Sequence, residues 1–220
     1  WLHRAPTVKV SDNNRLVLYD ILRGCYRNRT IQNWQDAGLL LGLNEEDAKR
    51  YSLLKIDRVS NDWRQKPEHP DTALLAYALK KNGTLPQQAE KTVIDLLQKL
   101  KGGNNTIPYR SSRADVRFVD TIGMVAPFLT ICGHQKLAKQ QIEEYDAARL
   151  PGSSIPSHAY NLTDKVPMGI YDWSRGIGWY ILGLTESNAD GSHNDRIVAL
   201  AEELSTWQRP GGGFGCMFFN

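Results

Sequence analysis

The sequence predicts an all-α protein, and three observations carry that expectation. Apolar residues recur at helical spacing in one segment after another. No run alternates apolar and polar residues in the manner of a half-buried strand. Gly, Pro and Asn punctuate the chain so that short, antiparallel-type connections alternate with longer ones.

Residues 1–12 read as an irregular lead-in. Asn13–Arg27 places Leu16, Val17, Ile21 and Leu22 on one helical face and carries Gly24 near its end. Trp34–Leu43 is short and apolar, and Asn44 is a suitable N-cap for a helix over Glu45–Ile56. Pro67 and Pro70 interrupt the chain before the amphipathic Asp71–Lys81, which ends on Asn82-Gly83. Leu85–Lys101 follows, with Pro86 fitted to a first turn and Val93, Leu96, Leu97 and Leu100 in helical register. Gly102–Arg113 has no periodicity. Helices are predicted at Ala114–Cys132 and Gln135–Ala148, and no element over the Pro-, Gly- and Ser-rich Leu150–Tyr171. Trp173–Thr185 is helical, Asn188–Ser192 a turn, His193–Trp207 amphipathic, and the chain closes on a glycine-rich loop, PGGGFGCMFFN.

A chain of 220 residues can bury a core of its own, and one domain is expected over 1–220. With 41% hydrophobic and 23% charged residues the composition is that of an ordinary globular protein. The net charge of +3, with both signs interspersed, suits an anionic ligand but lacks the clustered basic footprint of a nucleic-acid binder. No apolar run approaches the roughly 20 residues needed to cross a bilayer. Cys25, Cys132 and Cys216 show neither metal nor disulfide spacing and read as buried thiols in a reducing compartment. The expected location is therefore a bacterial cytoplasm, with the periplasm as alternative because the chain opens on Trp1 without a leader. The N-x-T triplets at Asn28, Asn82, Asn104 and Asn161 are taken as chance.

The chemistry concentrates in Tyr171–Leu184, YDWSRGIGWYILGL. Gly176, Gly178 and Gly183 each cost a helix interior about 1 kcal/mol relative to alanine, so something must come close to the backbone. On a helix Arg175 and Trp179 share a face, with Asp172 three before Arg175. An indole beside a guanidinium suits a sugar ring that carries a carboxylate. The plainer alternative is a glycine-rich crossing of two helices with the tryptophans as core. A second candidate is Asp120, set among Phe118, Val119, Ile122, Val125, Phe128 and Leu129. Burial there would raise its pKa toward that of a general acid, while Arg117 three residues earlier would oppose the shift or pair with it.

WSRGIGW resembles the W-x-R-G-x-G-W signature of the unsaturated glucuronyl and rhamnogalacturonyl hydrolases, glycoside hydrolase families 88 and 105. VDTIGMVAPFL is similar to that family's aspartate segment, with Asp120 on its catalytic aspartate and Met124, Pro127 and Phe128 on the other fixed positions. His158-Ala159-Tyr160 matches the family's histidine, small residue and aromatic ahead of the tryptophan motif. The resemblance implies an (α/α)6 toroid of helical hairpins, here truncated, with an apolar seam that favours homo-oligomers. It also implies Asp120 as catalytic acid and His158, Trp173, Arg175 and Trp179 as substrate-binding residues. The family's second acid falls near KPEHPDTA, where Glu68 and Asp71 are the acids present and neither is in register, so Asp71 is the weaker candidate. The implied activity removes a 4,5-unsaturated uronic acid from the non-reducing end of lyase-generated oligosaccharides, by hydration of the double bond, without metal or cofactor. The alternative is a sugar-binding relative that has lost catalysis.

Overall fold

The computed structural model describes residues 34–50, 69–102 and 104–216, together with Asp20 and Gly24. The helix expected at Asn13–Arg27, and the part of Glu45–Ile56 after residue 50, therefore lie outside the described residues. The chain divides into two compact units, Val10–Leu100 and Lys101–Asn220.

In the first unit, α1 (Trp34–Gly42) is followed by a helical segment over 45–50, with the Asp47 backbone N–H donating to Asn44 Oδ1 at 2.8 Å, as an N-cap requires. Helix α2 (Thr72–Lys81) is built from small and aliphatic residues, and Ala73 through Leu79 are all buried. It turns at Asn82 and at Gly83, whose φ of 74° favours glycine, into α3 (Gln87–Leu100). A Lys80–Glu90 ion pair of 2.6 Å ties the two helices. Helix α3 buries Ala89, Val93, Leu96 and Leu97, the face that its apolar spacing defines.

The second unit centres on α4 (Val119–Ile131). Every residue from Thr121 to Leu129 is buried, so this helix is apolar all round instead of amphipathic. Each fully buried Ile, Leu or Phe there contributes about 1.5–3 kcal/mol relative to exposure. Helices α5 (Gln135–Glu143), α6 (Ser174–Glu186) and α7 (Asn194–Trp207) complete its helical layer. The close neighbour of α4 is α6, and glycines set the approach. A Cβ on Gly123 would stand 2.5 Å from the Trp179 carbonyl oxygen, and one on Gly183 would fall on Ile122. Gly183, one of the three glycines that look expensive in sequence, is thus spent on close approach to α4.

Three corrections to the sequence expectations concern this unit. The predicted helix Ala114–Cys132 is a 3-10 turn (Ser111–Arg113), a strand β1 (Val116–Phe118) and then α4. The supposedly structureless Leu150–Tyr171 holds β2 (Ala159–Asn161) and β3 (Val166–Met168). The three strands form an antiparallel sheet in the order β1-β2-β3, with Phe118 opposite Ala159 and Ala159 opposite Met168. Strands of three residues are too short for alternation to show. Helix α5 stops at Glu143 and continues as a 3-10 turn, Glu144–Asp146, where one helix to Ala148 was expected.

The thiols also differ from expectation: Cys216 is exposed and Cys132 half-buried, and Cys25 lies outside the described residues. Asn82 and Asn161 are buried at 8% exposure, which removes both as glycan acceptors. No helix among the described residues is long and apolar enough to cross a membrane.

Candidate active site

The strand-to-helix junction at 118–119 builds the site. As β1 ends, the Val119 backbone N–H donates to the His158 carbonyl at 3.0 Å, and the His158 N–H donates to the Ile170 carbonyl at 2.9 Å. The sheet therefore carries His158 to the first turn of α4, where Asp120 is the second residue. Gly169, at φ 76°, passes so close that a Cβ would stand 3.0 Å from His158 Cβ, which fixes the imidazole from behind. His158 Nε2 lies 3.8 Å from Asp120 Oδ2, an ion pair when the ring is protonated. Both side chains keep an opening to solvent, 35% for the histidine and 20% for the aspartate.

Aromatic rings surround this pair. The His158 ring meets Trp173 edge-on at 4.5 Å between centroids and Phe118 at 5.4 Å; Phe118 in turn meets Tyr109 at 6.2 Å. Trp173 caps α6 in extended geometry (φ −73°, ψ 100°), and the Arg175 guanidinium lies over its ring at 4.6 Å. Arg175 is exposed, so the donors not facing the indole are free to reach a carboxylate. Burial pushes the Asp120 carboxyl above its ordinary value, and its own backbone N–H, His158 and Arg175 each pull it back.

The structure thus brings Asp120, His158, Trp173 and Arg175 together and sends other residues elsewhere. Trp179 follows Arg175 by four residues within α6, as helical spacing expects, and its half-buried ring and backbone pack against α4 at Gly123. Arg117 does not pair with Asp120. It is 3% exposed, and its guanidinium donates to Thr106 Oγ1 at 2.7 Å, to the Ala114 carbonyl at 2.8 Å and to Asn104 Oδ1 at 3.2 Å. The i,i+3 relation that would have joined them holds within a helix, and Arg117 stands in a strand. Asp71 belongs to the unit Val10–Leu100, as N-cap of α2, half-buried and without a side-chain cap bond; burial raises its pKa while His69 opposes.

Two contributors escaped the sequence reading. Tyr145, 1% exposed with no hydrogen-bond partner for its hydroxyl, is pushed well above the usual tyrosine range by burial and then by the Asp120 charge. Ser174 donates through its backbone N–H (3.1 Å) and its Oγ (2.9 Å) to the Cys216 carbonyl, which ties the closing glycine-rich loop to the start of α6. No sequence pattern signals either contact. Among the described residues no cluster of three or more His, Cys, Asp or Glu is arranged to hold a metal ion.

A helical-hairpin fold with a carboxyl, an imidazole, an indole and a guanidinium at one end of a buried helix pair is the class that these observations define. Among solved structures the chain is similar to a glycoside hydrolase of family 105 from C. acetobutylicum ATCC 824, at TM-score 0.63 and 15% identity over 87% of this chain and 66% of that one. That likeness establishes the all-α, toroid-like fold. No family model matches the sequence, and no curated protein does.

Proposed function

We propose that this chain is a glycoside hydrolase of the unsaturated uronyl hydrolase type, with Asp120 as the acid. The observation that carries the reading is the grouping of Asp120, 3.8 Å from His158, with Trp173 and the Arg175 guanidinium stacked on it at 4.6 Å. Burial raises the proton affinity of this carboxyl above its ordinary value, the direction that a general acid requires.

The substrate is an oligosaccharide whose non-reducing end is a 4,5-unsaturated uronic acid. Its carboxylate meets Arg175 as a charge-assisted pair, with His158 beside it. Asp120 gives its proton to C4 as the double-bond electrons move there, leaving positive charge shared by C5 and the ring oxygen. Water adds at C5 and returns a proton to the Asp120 carboxylate. The resulting hemiketal opens by breaking the bond between C5 and the ring oxygen, and the opened sugar releases its neighbour. One carboxyl serves as acid and then as base, so the cycle closes without a cofactor. The structural neighbour of glycoside hydrolase family 105 supports the reaction class by analogy of fold.

The test follows the ultraviolet absorbance of the conjugated uronate in lyase-digested pectic and glycosaminoglycan oligosaccharides. Loss of absorbance with the wild type and none with Asp120→Asn is the expected result. A flat trace with folded wild-type protein on every substrate, alongside retained saccharide binding, would favour a sugar-binding relative without catalysis.

A further inference from the structure

The opposite end of α6 holds a second cleft, of about 430 Å3, lined by Gln135, Lys136 and Lys139 of α5 and by Ser187, Asp190 and His193 of the α6–α7 connection. Eleven helical residues, 176–186, separate Ser187 from Arg175, about 18 Å along the axis. Four features of its lining fit no structural need. Lys136 stands in the first turn of α5, whose N-terminal residue His134 makes no side-chain cap and which has no acid in that turn. A cation there adds to the positive end of the helix dipole, where a negative charge is favoured. Lys139 is half exposed and has only a 3.8 Å pair with Glu143. His193 is 4% exposed and lines the cleft, and its ring makes no hydrogen bond to any described residue. Ser187 Oγ is buried without a partner. The buried Ser187 hydroxyl without a partner costs about 1–3 kcal/mol, so a ligand that satisfies it recovers that cost.

We infer that this cleft binds a small hydroxylated oxyanion, of the sugar-acid or sugar-phosphate kind. The anionic group meets Lys136, Lys139 and the open N-terminus of α5, with Ser187 and His193 as hydrogen-bonding groups. Asp190, whose carboxylate accepts the Ser192 N–H at 3.0 Å, keeps acceptor capacity for a ligand hydroxyl. That carboxylate also discriminates against a bare polyanion. The volume lies within the range of small-molecule sites. The charged groups around the imidazole are Arg196, Lys139, Asp190 and Glu143; burial, Arg196 and Lys139 hold its pKa below the ordinary value. Arg196 is itself engaged by Asp146 at 2.7 Å, which leaves the lysines for the ligand. The site is independent of the reading of Asp120.

The test is an NMR titration of the His193 imidazole in the full chain, with inorganic phosphate in one arm and galacturonic acid in the other, at fixed ionic strength set by chloride. A saturable shift in either arm is expected, with the His193 pKa rising as the anion binds. Lys136→Gln with Lys139→Gln, both on the surface of α5, should weaken that binding about tenfold or more without lowering the melting temperature. Saturation by phosphate alone identifies a phosphorylated ligand, and saturation by galacturonate alone identifies a sugar acid. No saturable shift in either arm, or shifts untouched by the lysine changes, overturns the site.

Discussion

Asp71 and Asp120 are alike in local terms. Each stands at the start of a helix with a buried body, and burial raises the pKa of each above the ordinary 3.8. They differ in what the rest of the chain delivers. Asp71 has His69, two residues away, as its opposing charge. Asp120 has His158 and Arg175, brought from 38 and 55 residues downstream by a sheet and by a helix start. Burial raises the proton affinity of both carboxyls; only Asp120 also has an imidazole and a guanidinium delivered from distant segments.

The largest break between the two is expected in turnover. Asp120→Asn should lower kcat on unsaturated oligosaccharides by about 10²–10⁴-fold, the usual weight of a general acid. Asp71→Asn should cost less than about tenfold, measured by the same absorbance assay. An equal loss in both would make Asp71 the second acid and erase the distinction.

Arg175→Ala comes next. It removes the proposed partner for the substrate carboxylate, so KM should rise about ten- to hundredfold. Arg175→Lys should recover only part of that, because an ammonium neither stacks on Trp173 as a plane nor offers a fork. Arg175→Ala also removes one of the charges that lower the Asp120 pKa. If Asp120 is the acid, the alkaline limb of kcat should therefore move to higher pH, and His158→Ala should move it in the same direction.

Stability sharpens the comparison from the other side, because here the two aspartates should agree. A carboxyl whose folded pKa is raised binds its proton more tightly in the native state, so stability is lost as pH rises from the unfolded value through the folded one. Asn carries no such penalty. Both Asp120→Asn and Asp71→Asn should melt higher than wild type at neutral pH, and both gains should vanish below the ordinary aspartate pKa. Thermal melts at pH 7 and pH 3 measure this. Agreement in melting with disagreement in turnover would separate burial from catalysis in one pair of variants.

Much of this was legible in the sequence, and the failures share a cause. Asp71–Lys81, Leu85–Lys101, Trp173–Thr185 and His193–Trp207 fall within two residues of the helices α2, α3, α6 and α7, since their apolar faces repeat at the helical period. The grouping of Asp120, His158, Trp173 and Arg175 came from matched motifs, not from periodicity. What could not be read was direction: Arg117 was placed on the face of Asp120 by helical spacing. Arg117 is in a strand, and Arg175 stacks on Trp173, which stands just outside the helix. Spacing rules fail where an element begins, which is where this site is built.

The glycines of α6 give the smallest effect, and they put the same contrast within one helix. Gly183 and Gly178 look alike in sequence. A Cβ at 183 would fall on Ile122, with the Ile122 carbonyl oxygen 3.0 Å away; a Cβ at 178 would have no atom within 4 Å. Gly183→Ala should therefore destabilise by about 1–3 kcal/mol through overpacking against α4. Gly178→Ala should instead stabilise the free protein by up to about 1 kcal/mol, the ordinary propensity gain. Urea midpoints measure both. Gly178 lies one turn beyond Arg175, so the sequence keeps a glycine where the fold has no steric use for one, beside the proposed carboxylate partner. If the site takes a sugar ring close to the α6 backbone, Gly178→Ala should raise KM while it raises stability. A gain in stability with unchanged KM would remove Gly178 from the site and leave Arg175 as its boundary on α6.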